Sequence, residues 1–177
     1  GVEDLGGGLK ASFNFEQGIN AESGRTDQSC ASALTPCGSA TNPAFSNATF
    51  QRAAWLALQG NFGRVQMGRT LTPTFYGIAS WELTGAANYS AAGTQFQWAG
   101  LGANPRSDSM LQYSFAAGAF SSTVGYVFKP DNSGNAKYDL NAIYKQGPLA
   151  VALSYHKTNN VSGSNYALGA NYDFGAF

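Results

Sequence analysis

The sequence predicts an all-β protein: an antiparallel transmembrane β-barrel whose long third loop folds into the pore. Three observations predict it. Charged residues make up only 11% of the 177 residues, against 14% aromatics and 22 glycines, where soluble domains carry about 25% charge. Segments in which apolar and polar residues alternate recur along the chain, joined by connections that run long, short, long, short. The longest purely apolar run, Ala53–Leu58, has six residues, too few for a transmembrane helix.

A soluble β-sandwich also alternates, but its solvent face should carry more charge than the small and amide residues present here. Lys and Arg total 10 and Asp and Glu total 10, so the chain lacks the basic footprint of a nucleic-acid partner. No secretory signal peptide is visible, which suggests a mature chain or a fragment.

The elements follow in order. Gly1–Gly8 reads as a Gly-rich, turn-like opening. Leu9–Gln17 alternates strictly, with Leu9, Ala11, Phe13 and Phe15 against Lys10, Ser12, Asn14 and Glu16. Residues 18–47 form a polar loop, placed on the extracellular side. Phe50–Gln59 and Arg64–Leu71 flank Gly60-Asn61-Phe62-Gly63, a hairpin turn. Gly68 marks a candidate bulge that leaves the facing of Arg69 open. Residues 72–105 form a loop far longer than a compact domain usually leaves unstructured, and such loops are normally functional.

The second half is more regular. Arg106–Phe115, Phe120–Phe128, Lys137–Gln146, Leu149–His156 and Tyr166–Phe174 each place Tyr, Phe, Leu or Val on one face and small or polar residues on the other. Ala116–Ala119 and Gly147-Pro148 are short turns, and Lys129–Ala136 is a loop. That makes eight strands. Aromatics at the ends of the apolar stripes suit the girdles that sit at lipid headgroups.

Eight strands can close a small barrel, but side chains would fill it, leaving the 34 residues of Thr72–Pro105 no lumen to enter. Both ends of the chain read as turns on one side, and Phe177 lies out of phase with Leu168, Ala170, Tyr172 and Phe174. A piece of a larger barrel is therefore expected, without its first strand and its C-terminal part.

Several motifs resemble a known family. Gly1-Val2-Glu3-Asp4-Leu5-Gly6-Gly7-Gly8-Leu9-Lys10-Ala11 is similar to the turn after the first strand of the general porins of β-proteobacteria and Neisseria. Gly60-Asn61-Phe62-Gly63-Arg64-Val65, then Met67-Gly68-Arg69, resembles their next hairpin. Leu71-Thr72-Pro73 resembles the entrance to their third loop, and Arg106-Ser107-Asp108-Ser109 the strand that leaves it. The resemblance covers essentially the whole chain. It implies a homotrimer in the outer membrane, each barrel of about sixteen strands, passing small hydrophilic solutes and ions passively. This chain would supply the second to ninth strands.

In such a pore a folded-in loop narrows the channel, and fixed charges set the field across the narrowing. The resemblance places a basic cluster on the wall, facing an acidic loop segment. Lys10, Arg52, Arg69 and Arg106 are the candidate wall residues, and Arg69 and Arg106 match the motif positions best. Arg52 shares a parity with Leu56 and Leu58, which puts it above lipid at the strand's outer end. Glu82 is the loop carboxylate, because it is the only acid between Arg69 and Asp108. Trp81 beside it is in a position to narrow the opening further, and Asp108 points inward by parity. If the four basic groups outweigh Glu82 and Asp108, the pore prefers anions.

Cys30 and Cys37 lie in the first long loop, where an oxidising compartment favours a local disulfide. A metal site needs more ligands than a single histidine provides, and no cofactor is implied. Ser154 and His156 share a strand face as a nucleophile and base might. That face is the lumen, and no oriented acid is evident, so the reading is two polar lumen residues and no enzyme. The competing class is an eight-stranded outer-membrane barrel acting as an anchor, adhesin or binding protein without a conducting pore.

Overall fold

The computed structural model describes residues 1–19, 49–50, 52–85, 105–128 and 135–175. They build nine strands and one short helix. In chain order these are β1 (Val2–Gly6), β2 (Leu9–Glu16), β3 (Ala53–Gly60), β4 (Gly63–Leu71), α1 (Pro73–Ala79), β5 (Arg106–Ala117), β6 (Phe120–Val127), β7 (Lys137–Gln146), β8 (Leu149–Thr158) and β9 (Asn165–Tyr172). Each strand pairs antiparallel with the next, so the sheet order is the chain order, and among the described residues β1 and β9 are its edges.

The register sorts the side chains into two faces. One face carries the row Phe13, Leu56, Met67, Leu111, Tyr126 and Tyr138, each opposite the next across β2 to β7. The other carries Ser12, Ala57, Gln66, Gln112, Gly125, Asp139, His156 and Asn165, running from β2 to β9. Burial is inverted relative to a water-soluble protein. Leu56 is 63% exposed and Met67 55%, whereas Gln66 and Gln112 are each 4% exposed and Asp139 2%. An apolar face this extensive is stable against lipid, not against water. That decides against the soluble sandwich.

The strand count differs from the eight expected, because Val2–Gly6 is a strand. Val2, Glu3 and Asp4 pair with Ser12, Ala11 and Lys10. Gly6, Gly7 and Gly8 hold φ values of 84°, 60° and 82°, a backbone conformation open to glycine at little cost. The three glycines thus make a reversal tight enough for a hairpin. A nine-stranded sheet with β1 and β9 as its edges is also not the closed eight-stranded barrel of the anchor reading.

Residues 72–85 are partly helical where an irregular loop was expected. Pro73 occupies the first turn, and the Thr72 side chain accepts a hydrogen bond from Phe75 N. This Thr-Pro pair is a helix start, overlooked because Leu71-Thr72-Pro73 reads equally well as a turn. Helix α1 packs on the polar face of the sheet, over β7, β8 and the edge of β6. Ser154 and His156 are therefore not open to the lumen. They lie beneath the helix, 1% and 4% exposed.

Candidate functional site: an arginine cluster beside an anchored helix

Helix α1 is held at its first turn. The Asp139 carboxylate accepts from Thr74 N and from Thr74 Oγ1, both at 2.7 Å through Oδ1. His156 Nδ1 lies 3.2 Å from Asp139 Oδ2. Asn141 Nδ2 donates to the Pro73 carbonyl at 2.7 Å, and its Oδ1 accepts from Thr123 N at 2.9 Å. Small residues let the backbone come close: a Cβ at Gly77 would collide with Ser154 Oγ, and one at Gly169 with the Trp81 ring. Trp81 therefore lies against β9, which corrects the expectation that it narrows the opening.

The arginines gather on the other side of the helix. Arg52 donates through Nε to Glu16 Oε1, and its backbone N–H donates to the Glu16 carbonyl at 3.1 Å. This corrects the placement of Arg52 above lipid. Strand β3 begins at Ala53, so the parity of Leu56 and Leu58 does not reach Arg52. Arg106 donates through Nε to the Arg52 carbonyl at 3.0 Å. Its charged and polar neighbours are Arg52, Glu16, Arg69 and Tyr76.

Arg69 donates to Asp108 Oδ1 at 2.6 Å. Gly68 faces Met110 while Thr70 faces Ser107, so two residues oppose Arg69 where regular pairing allows one. The irregularity expected at Gly68 falls at this point of the ladder but on the partner strand, with Asp108 and Ser109 as the two residues of the bulge. Strand β4 itself pairs with β3 without a break, Arg69 opposite Ala54, and Gly68 holds φ at 127°. Ser109 has φ of 50°, so parity counted from Met110 does not carry to Asp108. The exposed Asp108 carboxylate is the partner of Arg69.

Lys10 stands apart from this group. Lys10 sits opposite Gln59 and Asp4 at the turn end of β2, about 20 Å along the strand from Glu16 at ~3.3 Å per residue. The Glu82 carboxylate accepts from Thr84 N at 2.8 Å and Thr84 Oγ1 at 2.6 Å. The expected disulfide partners Cys30 and Cys37, with nearly all of the loop 18–47, lie outside the described residues, as do residues 86–104 of the loop 72–105.

Three residues of the cluster escaped sequence reading. Glu16 was visible only as one of four polar residues on its face. Arg64 shares the face of Gln66, and its guanidinium lies 4.7 Å from the centre of the Trp55 ring. Tyr76, on α1, is hydrogen-bonded to Thr70 and stands near Arg64, Arg106 and Glu16. Partial burial pushes its phenol up, against the pull of Arg64, so it stays un-ionised. Its i parity within a helix could not be read before the helix was known. Four guanidinium groups thus meet two carboxylates and one phenol beside α1.

The family model for Gram-negative porins matches residues 1–177. Outer membrane porin protein 32 of Delftia acidovorans is 29% identical over 99% of this chain and 49% of its own length. An outer membrane porin protein of Bordetella pertussis is 30% identical over 98% of this chain and 47% of its own. The chain thus spans about half the length of the curated relatives it matches. Among solved structures, the anion-selective porin from Comamonas acidovorans superposes with a TM-score of 0.74 at 28% identity, covering 98% of this chain and 52% of that one. A loop-deletion variant of a Vibrio cholerae outer membrane protein, at TM-score 0.53 and 20% identity, shares the fold. The sheet with its apolar face outward, the helix on its polar face and the match over every residue agree: this chain belongs to the Gram-negative porin family and is part of an outer-membrane protein.

Proposed function

We propose that the chain contributes about half of the wall of a general diffusion porin, a passive water-filled channel for small hydrophilic solutes and ions. Residues 72–105 are its constricting loop, residues 18–47 an extracellular loop, and the pore prefers anions. One observation carries the selectivity: Arg52, Arg64, Arg69 and Arg106 lie together on or beside the face that bears α1, outnumbering Glu16 and Asp108. Such a cluster raises the local anion concentration and stabilises an anion in transit. The Comamonas porin of like fold is titled anion-selective, in the same direction.

Lys10 acts as a charge at the turn end of the wall, and Glu82 as the loop's carboxylate. A homotrimer embedded in outer-membrane lipid is the assembly that suits a porin of this family. The test is the zero-current potential of the full-length native protein in a planar bilayer across a KCl gradient. Anion preference that weakens in Arg106→Ala supports the reading. Cation preference overturns the selectivity, and a protein that inserts without conducting restores the anchor or adhesin class. An unboiled gel, on which a trimer dissociates with heat, tests the assembly.

A further inference from the structure

The constricting helix is short, and little within it explains why it stays where it is. Seven residues, Pro73–Ala79, fall well below the ~12–15 at which isolated helices become even marginal. Its first-turn N–H groups need outside acceptors. Thr72 supplies one, to Phe75 N, and the wall supplies the other, to Thr74 N.

We infer that Asp139, backed by His156, is the positioning residue that holds α1 against the wall and so sets the pore's open cross-section. This rests on reading residues 72–105 as the constricting loop. The Asp139 carboxylate is 2% exposed, and a buried charge is tolerated only where it is well hydrogen-bonded. Both of the donors given to Oδ1 belong to Thr74. If α1 lifts away, the carboxylate loses them and keeps only His156 on Oδ2. Lifting α1 gives up both hydrogen bonds at once and returns the carboxylate to lumen water, so the seated helix is held by two short bonds made through one acceptor oxygen. His156 fixes the other oxygen, so the carboxylate cannot rotate to follow the helix. Asn141, bridging Pro73 and Thr123, works beside it as a neutral strut. Thr74 is the only residue of α1 whose side chain and backbone both donate to the wall, among the described residues.

The experiment records single channels of the full-length native protein in planar bilayers. Asp139→Ala should raise open-channel current noise and brief closures several-fold and shift the mean conductance, while the heat stability of the oligomer on unboiled gels stays near wild type. Asp139→Asn should stay close to wild type, because its amide oxygen still accepts from Thr74. Thr74→Val, nearly isosteric, should raise the noise partway and serves if Asp139→Ala fails to fold. Noise that rises in Asp139→Ala and not in Asp139→Asn, at unchanged oligomer stability, is a split that a merely structural role for Asp139 would not give. Wild-type noise in folded Asp139→Ala or Thr74→Val overturns the inference while leaving the porin reading intact. A wild-type protein that does not conduct overturns both.

Discussion

The Arg64 guanidinium lies over the Trp55 ring, 4.7 Å from its centre. Gln59 pairs with Arg64, and Trp55 with Gly68, on the polar face of β3 and β4. The side chain therefore runs along the sheet from a position near the hairpin turn towards Tyr76 on α1. The indole face offers a cation a favourable surface, so Trp55 aims a charge that the backbone alone would leave near the turn.

Trp55→Leu removes that surface and keeps the apolar bulk. The anion-to-cation permeability ratio should fall by a factor of about two to five, the shift that ~0.5–1 kcal/mol of cation–π energy allows. Reversal potentials in a KCl gradient measure it. An unchanged ratio would show that Arg64 does not contribute to the field.

Salt concentration separates charge from size as the source of selectivity. The screening length is about 10 Å at 0.1 M and about 3 Å at 1 M. Anion preference should be pronounced at the lower concentration and nearly lost at the higher. Preference that survives 1 M salt unaltered points to a steric filter.

Gly68→Ala tests the need for a glycine beside the bulge. With φ at 127°, a Cβ there would meet the Ala54 carbonyl oxygen. The substitution should cost about 1–3 kcal/mol, read as a lower urea midpoint for the folded protein in detergent or liposomes. Because Arg69 follows directly and bonds to Asp108, selectivity should move with stability. A neutral result would mean that a glycine is not needed there.

The assignment of faces has its own test. Met67→Arg on the apolar face should destabilise the protein by ~2–4 kcal/mol if that position lies at the bilayer midplane. Ser12→Lys, on the opposite face, should cost little and should change conductance or selectivity. Equal penalties at both positions would contradict a lipid-facing and a water-facing side.

Thr72→Ala removes the cap of α1 at a cost of about 1 kcal/mol. The loss should appear in channel noise, with the oligomer's heat stability unchanged, because each strand is paired with its neighbours whether or not the helix is seated. Coincident loss of both would show that α1 also supports the wall.

Alternation made the strands legible. Phe13 and Phe15, Leu56 and Leu58, or Tyr138 and Leu140 announce one face each, because a strand's side chains repeat every two residues and lipid accepts only one kind. The break near Gly68 was readable in part: glycine inside an alternating strand marks an irregular ladder, but the extra residue lies on the partner strand, at Asp108–Ser109. Low charge with abundant aromatics identified the solvent of the outer face. The first strand was hidden by its own glycines, which belong equally to a loop and to a tight hairpin.

What the sequence by itself determined was therefore the sheet: its strand periods, its two faces, its neighbours in chain order and its family. The site was decided by tertiary structure. Arg52 turned to Glu16 only because β3 starts one residue later, Asp108 met Arg69 only across a bulge, and Asp139 found Thr74 from a residue 65 positions earlier. A periodic pattern reports the local face of a strand. Where a long side chain ends, and which charges meet across a loop folded back onto a wall, depends on contacts between segments far apart in the chain, and no local period records them.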